Sequence, residues 1–288
     1  MLWTSYSEFR RGQISPSTYK RDYLKMQRRL QKLSIQAPYL ETAIEIRDWF
    51  IQHYAAETAR RSLMQINACC NWAYESDMIQ TNVFKGVHRH IRKARQSEKA
   101  WAAFTVEERD RIIQAFDVEC PFYAPWVKFL FWTGCRPEEA AALRWEHVAN
   151  DCTELLIIEA EPVDTREVQG TKNGRTTRFP CNARLQRLLR EVRPANYNRG
   201  DRVFTGVKGG PFDYHNFQTR FWRPLIKRLV SDGKVAFYLS QYHTRHTWIT
   251  LALEHLAVAD VSYLARVSTN VLYAHYAGRS RRIVVPEF

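Results

Sequence analysis

From Pro16 onward the apolar residues fall into helical register. Tyr19, Tyr23, Met26, Leu30 and Leu33 recur at spacings of four, three, four and three. Proline suits a first helical position, where its missing amide donor is not needed, so the pattern predicts a helix from Ser15 with one apolar face. A second helical pattern covers about 41–54, and a third covers about 57–76 with Leu63, Ile66, Cys70 and Ala73 on one stripe. A turn follows over 77–82. The expectation is a small all-helical domain at residues 1–88, whose polar faces carry Lys20, Arg21, Lys25, Arg28, Arg29, Arg60 and Arg61.

The pattern then lapses. The stretch around 85–99 contains Arg89, Arg92, Lys93 and Arg95, few apolar side chains and no clear period, which predicts a basic linker at residues 89–100. Thr105 followed by Glu108 is a capping box that opens a new helix with Ile112, Ile113 and Phe116, so a second domain is expected over 101–288. Within it, 121–133 reads as an aromatic-rich buried helix stopped by Gly134, and Pro137 restarts a helix with Glu138 and Glu139 in its first turn. Two β-like runs, 154–159 and 175–180, follow, the second preceded by Asn173-Gly174, a strong hairpin-turn pair. Helices are expected again around Leu185–Val192, over 215–230, and through the remainder to Arg279. Ile283-Val284-Val285 reads as a short strand. The fold class is therefore mainly α with a small β-sheet.

Composition narrows the partners. Across 288 residues the formal charge is +13 and the pI near 9.6, a balance that favours phosphate backbones through counterion release and so points to nucleic acid. No run approaches the ~20 apolar residues of a membrane span, and the N-terminus lacks a signal-peptide core, so no membrane partner is expected. Six cysteines without a C-x-x-C pair read as reduced thiols of a cytosolic protein. His88 with His90, and His243 with His246, have metal-like spacing but no cysteine or carboxylate close by, so no zinc site is expected.

The candidate chemistry lies in three places: Thr133-Gly134-Cys135-Arg136-Pro137-Glu138-Glu139, Tyr242-His243-Thr244-Arg245-His246-Thr247, and His275-Tyr276-Ala277-Gly278. Transesterifying a phosphodiester needs a nucleophile, cations on the non-bridging oxygens and a proton for the leaving oxygen. Arg136 and Arg245, each on a turn opening into a helix, suit the second task because a guanidinium grips phosphate through two parallel hydrogen bonds. Lys172, just before Asn173-Gly174, would reach in from a hairpin tip as general acid. Tyr276 would be the nucleophile; a phenol, with an ordinary pKa of ~10, needs nearby cations and a proton acceptor. Taken singly, each element has a plainer reading as a helix cap, an exposed lysine or one of 14 tyrosines. The order Arg, Lys, Arg, Tyr with fitting local sequence at every station is what carries weight.

These motifs resemble the tyrosine recombinases, or phage-type integrases, across nearly the whole chain. Thr133, Gly134, Arg136 and Glu139 match the family's T-G-x-R-x-x-E, with Leu143-Arg144-Trp145 also typical of it. Thr171, Lys172, Gly174 and Arg175 match T-K-x-G-K/R, Arg245 and His246 match H-x-x-R-H, and the nucleophile position falls nine residues after Val267, at Tyr276. The resemblance implies that Arg136 and Arg245 bind phosphate, Glu139 orients the site, and Lys172 is the general acid. It implies no cofactor, neither metal nor nucleotide.

Two departures stand out. The first histidine of the box is Tyr242, with His243 displaced by one. The second histidine position is Val267, preceded by Arg266 where the family has glycine. Valine donates nothing, a loss of roughly 2.7 to 4 kcal/mol by analogy with single oxyanion donors. Tyr273 is the rival nucleophile.

By resemblance, a helical core-binding (SAM-like) domain and an α+β catalytic domain form a C-shaped clamp on double-stranded DNA at a recombination core site. Four protomers act on synapsed DNA, with the tail 283–288 packing into a neighbour, and accessory DNA-bending proteins are further partners. The setting implied is cytoplasmic and nucleoid-associated, in a bacterium or encoded by a phage, with integration or excision of a phage or mobile element. A type IB topoisomerase and a catalytically silent DNA-binding relative are the alternatives.

Overall fold

A computed structural model of the chain describes residues 2–92, 101–170 and 176–276. The chain divides into two compact units, Met1–Ser97 and Glu98–Phe288.

The first unit is helical. Helix α1 (Leu2–Arg11) precedes the first helix expected from sequence, and buries Trp3 and Tyr6. Ser15 accepts the Thr18 amide and caps α2 (Pro16–Thr18), which runs through a π-helical turn, Tyr19–Tyr23, into α3 (Leu24–Gln36). Thr42 and Glu45 form a reciprocal capping box at the start of α4 (Ala43–His53), and α5 (Ala56–Glu75) follows. Their apolar stripes meet in one core that includes Trp3, Met26, Phe50, Leu63 and Ile66. Each fully buried side chain of this size stabilises the unit by roughly 1.5–3 kcal/mol before ordering entropy is counted. This core reaches Ile91, inside the stretch read as linker; residues 93–100 of that stretch lie outside the described residues.

In the second unit the Thr105–Glu108 capping box opens α6 (Val106–Glu119). Helix α7 (Ala124–Thr133) is apolar on nearly all sides and buries Trp126, Val127, Phe129, Leu130 and Phe131, as a helix at the centre of a core must. Helix α8 (Pro137–Ala142) starts after a gap of three residues. Among the described residues, four short strands come next: β1 (Glu154–Ile157), β2 (Glu159–Ala160), β3 (Gln169–Gly170) and β4 (Thr177–Pro180). Then follow α9 (Ala183–Val192), α10 (Tyr214–Phe217), a π turn at Gln218–Trp222, α11 (Arg223–Ser231), α12 (His243–Ala252), α13 (Val258–Ala265) and α14 (Thr269–His275). A large core spans α6 to α11, and a smaller one gathers Ile249, Leu253, Val261, Ala265, Leu272 and Tyr276 from the last three helices.

The hairpin differs from expectation. β1 pairs antiparallel with β4, Leu155 opposite Phe179, while β2 pairs with β3, Ala160 opposite Gln169. The chain therefore reverses between Ala160 and Gln169; Asn173-Gly174 lies outside the described residues. Buried side chains set the register: Leu155 and Ile157 on β1, and Thr177 and Phe179 on β4, all face the core. Lys172, assigned to a hairpin tip from sequence, lies outside the described residues, as does the tail with Ile283-Val284-Val285.

Candidate active site

The site is built first by the turn between α7 and α8. Thr133 donates its hydroxyl to the Phe129 carbonyl at 2.7 Å and accepts the Cys135 amide at 3.2 Å, which closes the helix end. Gly134 follows at φ +62°, a left-handed conformation glycine adopts without strain. A Cβ there would also lie 2.8 Å from two ring carbons of Trp248, so the position excludes side chains twice over. Freed of side chain, the Gly134 carbonyl faces Arg245 and accepts its Nη1 at 2.8 Å.

Arg245 sits in the first turn of α12 and is only 3% exposed. Its Nη2 donates to the Ala265 carbonyl at the end of α13. Burial, followed by the repulsion of Arg136, lowers its pKa to about 10, so the guanidinium stays charged at neutral pH.

Arg136 is the residue before α8. Its Nη1 pairs with Glu139 Oε1 at 2.7 Å and its Nη2 donates to the Arg266 carbonyl at 3.2 Å. Its backbone amide donates to Glu139 Oε2 at 2.8 Å. The carbonyls of Ala265 and Arg266 thus orient both candidate phosphate-binding arginines. Burial alone would raise the pKa of Glu139, but Arg266, Arg136 and Arg245 together outweigh it and hold the carboxyl at about 2.

Arg266 itself has φ +54° and caps α13 in the left-handed region. That backbone costs a non-glycine residue about 1–2 kcal/mol. Its side chain is nevertheless buried, with Nη2 on Glu139 Oε2 at 2.8 Å and within 3.7 Å of Cys135 Sγ. Sequence reading marked Arg266 only as a missing glycine. A basic residue at a glycine position near two other arginines was the available signal. Val267 next to it packs into the smaller core, and its carbonyl accepts the Ser262 hydroxyl at 2.6 Å.

Tyr276 ends α14 and is 2% exposed. Its hydroxyl is hydrogen-bonded to His246 Nδ1, one residue along α12 from Arg245. Burial, then the fields of His243, Arg245 and His275, lower the His246 pKa to about 3, so the ring is neutral, and in the tautomer with its proton on Nε2 the Nδ1 accepts the phenolic O–H. Trp101 stacks on His275 at 3.8 Å between ring centroids and meets the rings of His246 and Tyr276 edge-on at 5.1 and 5.6 Å. Tyr273, by contrast, is 62% exposed.

Tyr242 immediately precedes α12, and its phenol is close enough to Arg136 and Arg245 to interact electrostatically with both. His243 pairs its Nδ1 with the Ser240 hydroxyl at 3.0 Å. Arg136, Glu139, Arg245, Tyr242, His246 and Tyr276 are thus gathered on neighbouring elements of the second unit, while Lys172 is not among the described residues. Cationic groups holding spare donors beside a buried phenol with a neutral acceptor suit an anionic tetrahedral centre and its attack by tyrosine.

Helices and hairpin in this order, with the two arginines held by one turn, make the fold that of the tyrosine recombinases. No family model and no curated protein sequence matches the chain. Solved structures do. The Tn1549 transposon integrase in complex with a circular intermediate DNA superposes with a TM-score of 0.80 at 15% identity, over 96% of this chain and 94% of that one. Lambda integrase residues 75–356 bound to DNA gives 0.69 at 12%, over 99% and 98%. The lambda integrase tetramer bound to a Holliday junction gives 0.66 at 13%, over 91% and 75%. At such identities the likeness is one of fold. No helix among the described residues is long and apolar enough to cross a membrane.

Proposed function

We propose that this chain is a site-specific DNA recombinase that cuts and rejoins DNA through a covalent 3′-phosphotyrosine at Tyr276. The observation that carries the reading is the pairing of Tyr276 with a neutral His246 beside Arg245, while one turn holds both Arg245 and Arg136. Arg136 and Arg245 bind the non-bridging oxygens, and Tyr242 adds a hydroxyl on the same side. Tyr276 Oη attacks phosphorus as its proton passes to His246 Nδ1. The P–O bond to the tyrosine forms as the bond to the 5′-oxygen breaks, and Lys172 protonates that oxygen. The reverse steps, with a 5′-hydroxyl from another strand, restore the phosphodiester. One phosphoester is exchanged for another, so the strand is rejoined without an added energy source.

The +13 charge supports duplex DNA as the partner. Likeness to integrases solved on transposon, core-site and Holliday-junction DNA supports four protomers on synapsed DNA, integration or excision of a mobile element, and a bacterial nucleoid or phage setting. Tail 283–288 would pack into the neighbouring protomer.

The test is strand exchange in EDTA between two duplexes carrying a site selected by this protein from a random DNA pool. Recombinant strands are expected. Binding without exchange would identify a silent DNA-binding relative, and relaxation of supercoils without exchange a topoisomerase.

A further inference from the structure

The Arg266 side chain has no place in the mechanism above, yet it is held at a cost. It is buried, its backbone is left-handed, and its Nε has no hydrogen-bond partner among the described residues. A residue kept under those conditions for packing alone would more simply be apolar. What Arg266 does possess is half of Glu139. Glu139 Oε1 pairs with Arg136 Nη1 at 2.7 Å, and Glu139 Oε2 pairs with Arg266 Nη2 at 2.8 Å. Without Arg266, Glu139 would set its whole charge against Arg136, the guanidinium that is to meet the phosphate. With Arg266 present, Glu139 is divided between two guanidiniums, at 136 and 266, and Arg245 adds a third positive charge within its field. The same Arg266 carries the carbonyl on which Arg136 Nη2 rests at 3.2 Å.

We propose that Arg266 is a positioning residue of the phosphate pocket: by dividing Glu139 with Arg136 it keeps the pocket cationic and Arg136 aimed, in a site where Val267 supplies no donor. Arg266 acts through Glu139 and Arg136 and does not touch the DNA. Arg266, which brings the extra cation, lies directly before Val267, which supplies no donor.

The proposal rests on the recombinase reading and is tested apart from it. Single-turnover cleavage of a nicked duplex carrying the pool-selected site is measured at saturating DNA for the unmutated chain, Arg266→Gly, Arg266→Lys, Glu139→Gln and the Gly/Gln double variant. Glycine accepts the left-handed backbone, so Arg266→Gly removes the guanidinium and leaves the turn. Cleavage by Arg266→Gly should fall on the order of 10- to 100-fold, less than the ~100- to 1000-fold expected for a donor that touches the oxyanion. DNA affinity should hardly change, and Arg266→Lys should recover most of the rate. In the Glu139→Gln background, where no carboxylate remains to be divided, removing Arg266 should cost under about threefold, a non-additivity that a purely structural role would not produce.

Undiminished cleavage by Arg266→Gly, or an equal loss with and without Glu139, would overturn the proposal. If Arg266→Gly fails to fold, Arg266→Lys decides: cleavage as low as that of Glu139→Gln, or failure to fold as well, assigns Arg266 to the core. No adduct from the unmutated chain would instead remove the recombinase reading itself.

Discussion

His246→Phe separates the two consequences of burying a histidine against Tyr276. Phenylalanine keeps an aromatic ring against Trp101, Tyr242 and Tyr276, whose centroids lie 5.1 to 5.8 Å from that of His246, but removes the nitrogen that accepts the phenolic proton. Loss of a positioned base should slow adduct formation by roughly 10²- to 10⁴-fold. Loss of this one buried hydrogen bond should destabilise the second unit by about 1 kcal/mol near neutral pH. Acid sensitivity should move the other way. With its pKa lowered from 6.5 to about 3, His246 binds fewer protons folded than unfolded, so its contribution to stability is fully present above about 6.5 and is lost progressively as pH falls toward 3. Between pH 6.5 and about 5 that loss amounts to about 2 kcal/mol at 1.36 kcal/mol per unit. Urea denaturation of the whole chain at the two pH values, followed by tryptophan fluorescence, should show the variant lacking this much of the acid destabilisation of the unmutated protein. Equal acid destabilisation in both would show that His246 is not kept neutral by its surroundings. Cleavage within about threefold of the unmutated rate would show that it does not accept the proton of Tyr276.

Gly134→Ala should destabilise the second unit by roughly 2–4 kcal/mol in the same denaturation assay, because the added methyl meets Trp248 at 2.8 Å and the backbone is left-handed; cleavage should fall with it as the carbonyl holding Arg245 shifts. Lys172→Ala should slow cleavage of normal DNA by about 10²-fold or more but be largely rescued by a 5′-phosphorothiolate, whose sulfur leaves without a proton; equal defects on both substrates would show that Lys172 is not the acid.

What was legible in the sequence was local. Thr105 and Glu108 announce their own capping box, Gly134 stops α7 because its φ is positive, and the spacing of Tyr19, Tyr23 and Met26 shows one helical face. Arg136 and Arg245 were legible for the same reason, since each lies in a short string whose turn geometry dictates its neighbours. What was missed depends on distant partners. The reversal between Ala160 and Gln169 is set by the pairing of β2 with β3, and no turn signal of the Asn-Gly kind marks it in the sequence. Helix α1 is stabilised by Trp3 and Tyr6 packing against Tyr23 and Trp72, a contact its ten residues do not advertise. The Arg266–Glu139 pair joins residues on opposite sides of the hairpin in sequence, and the hydrogen bond from Tyr276 to His246 joins two helices, so neither leaves a periodic trace.

The most direct test of the central claim is the identity of the residue joined to DNA. The chain is trapped on a nicked suicide substrate carrying its selected site, digested, and the DNA-linked peptide identified by mass spectrometry. The expected result is a phosphotyrosyl linkage at Tyr276, with Tyr276→Phe binding the same DNA but forming no adduct. An adduct that persists in Tyr276→Phe and disappears in Tyr273→Phe would contradict it.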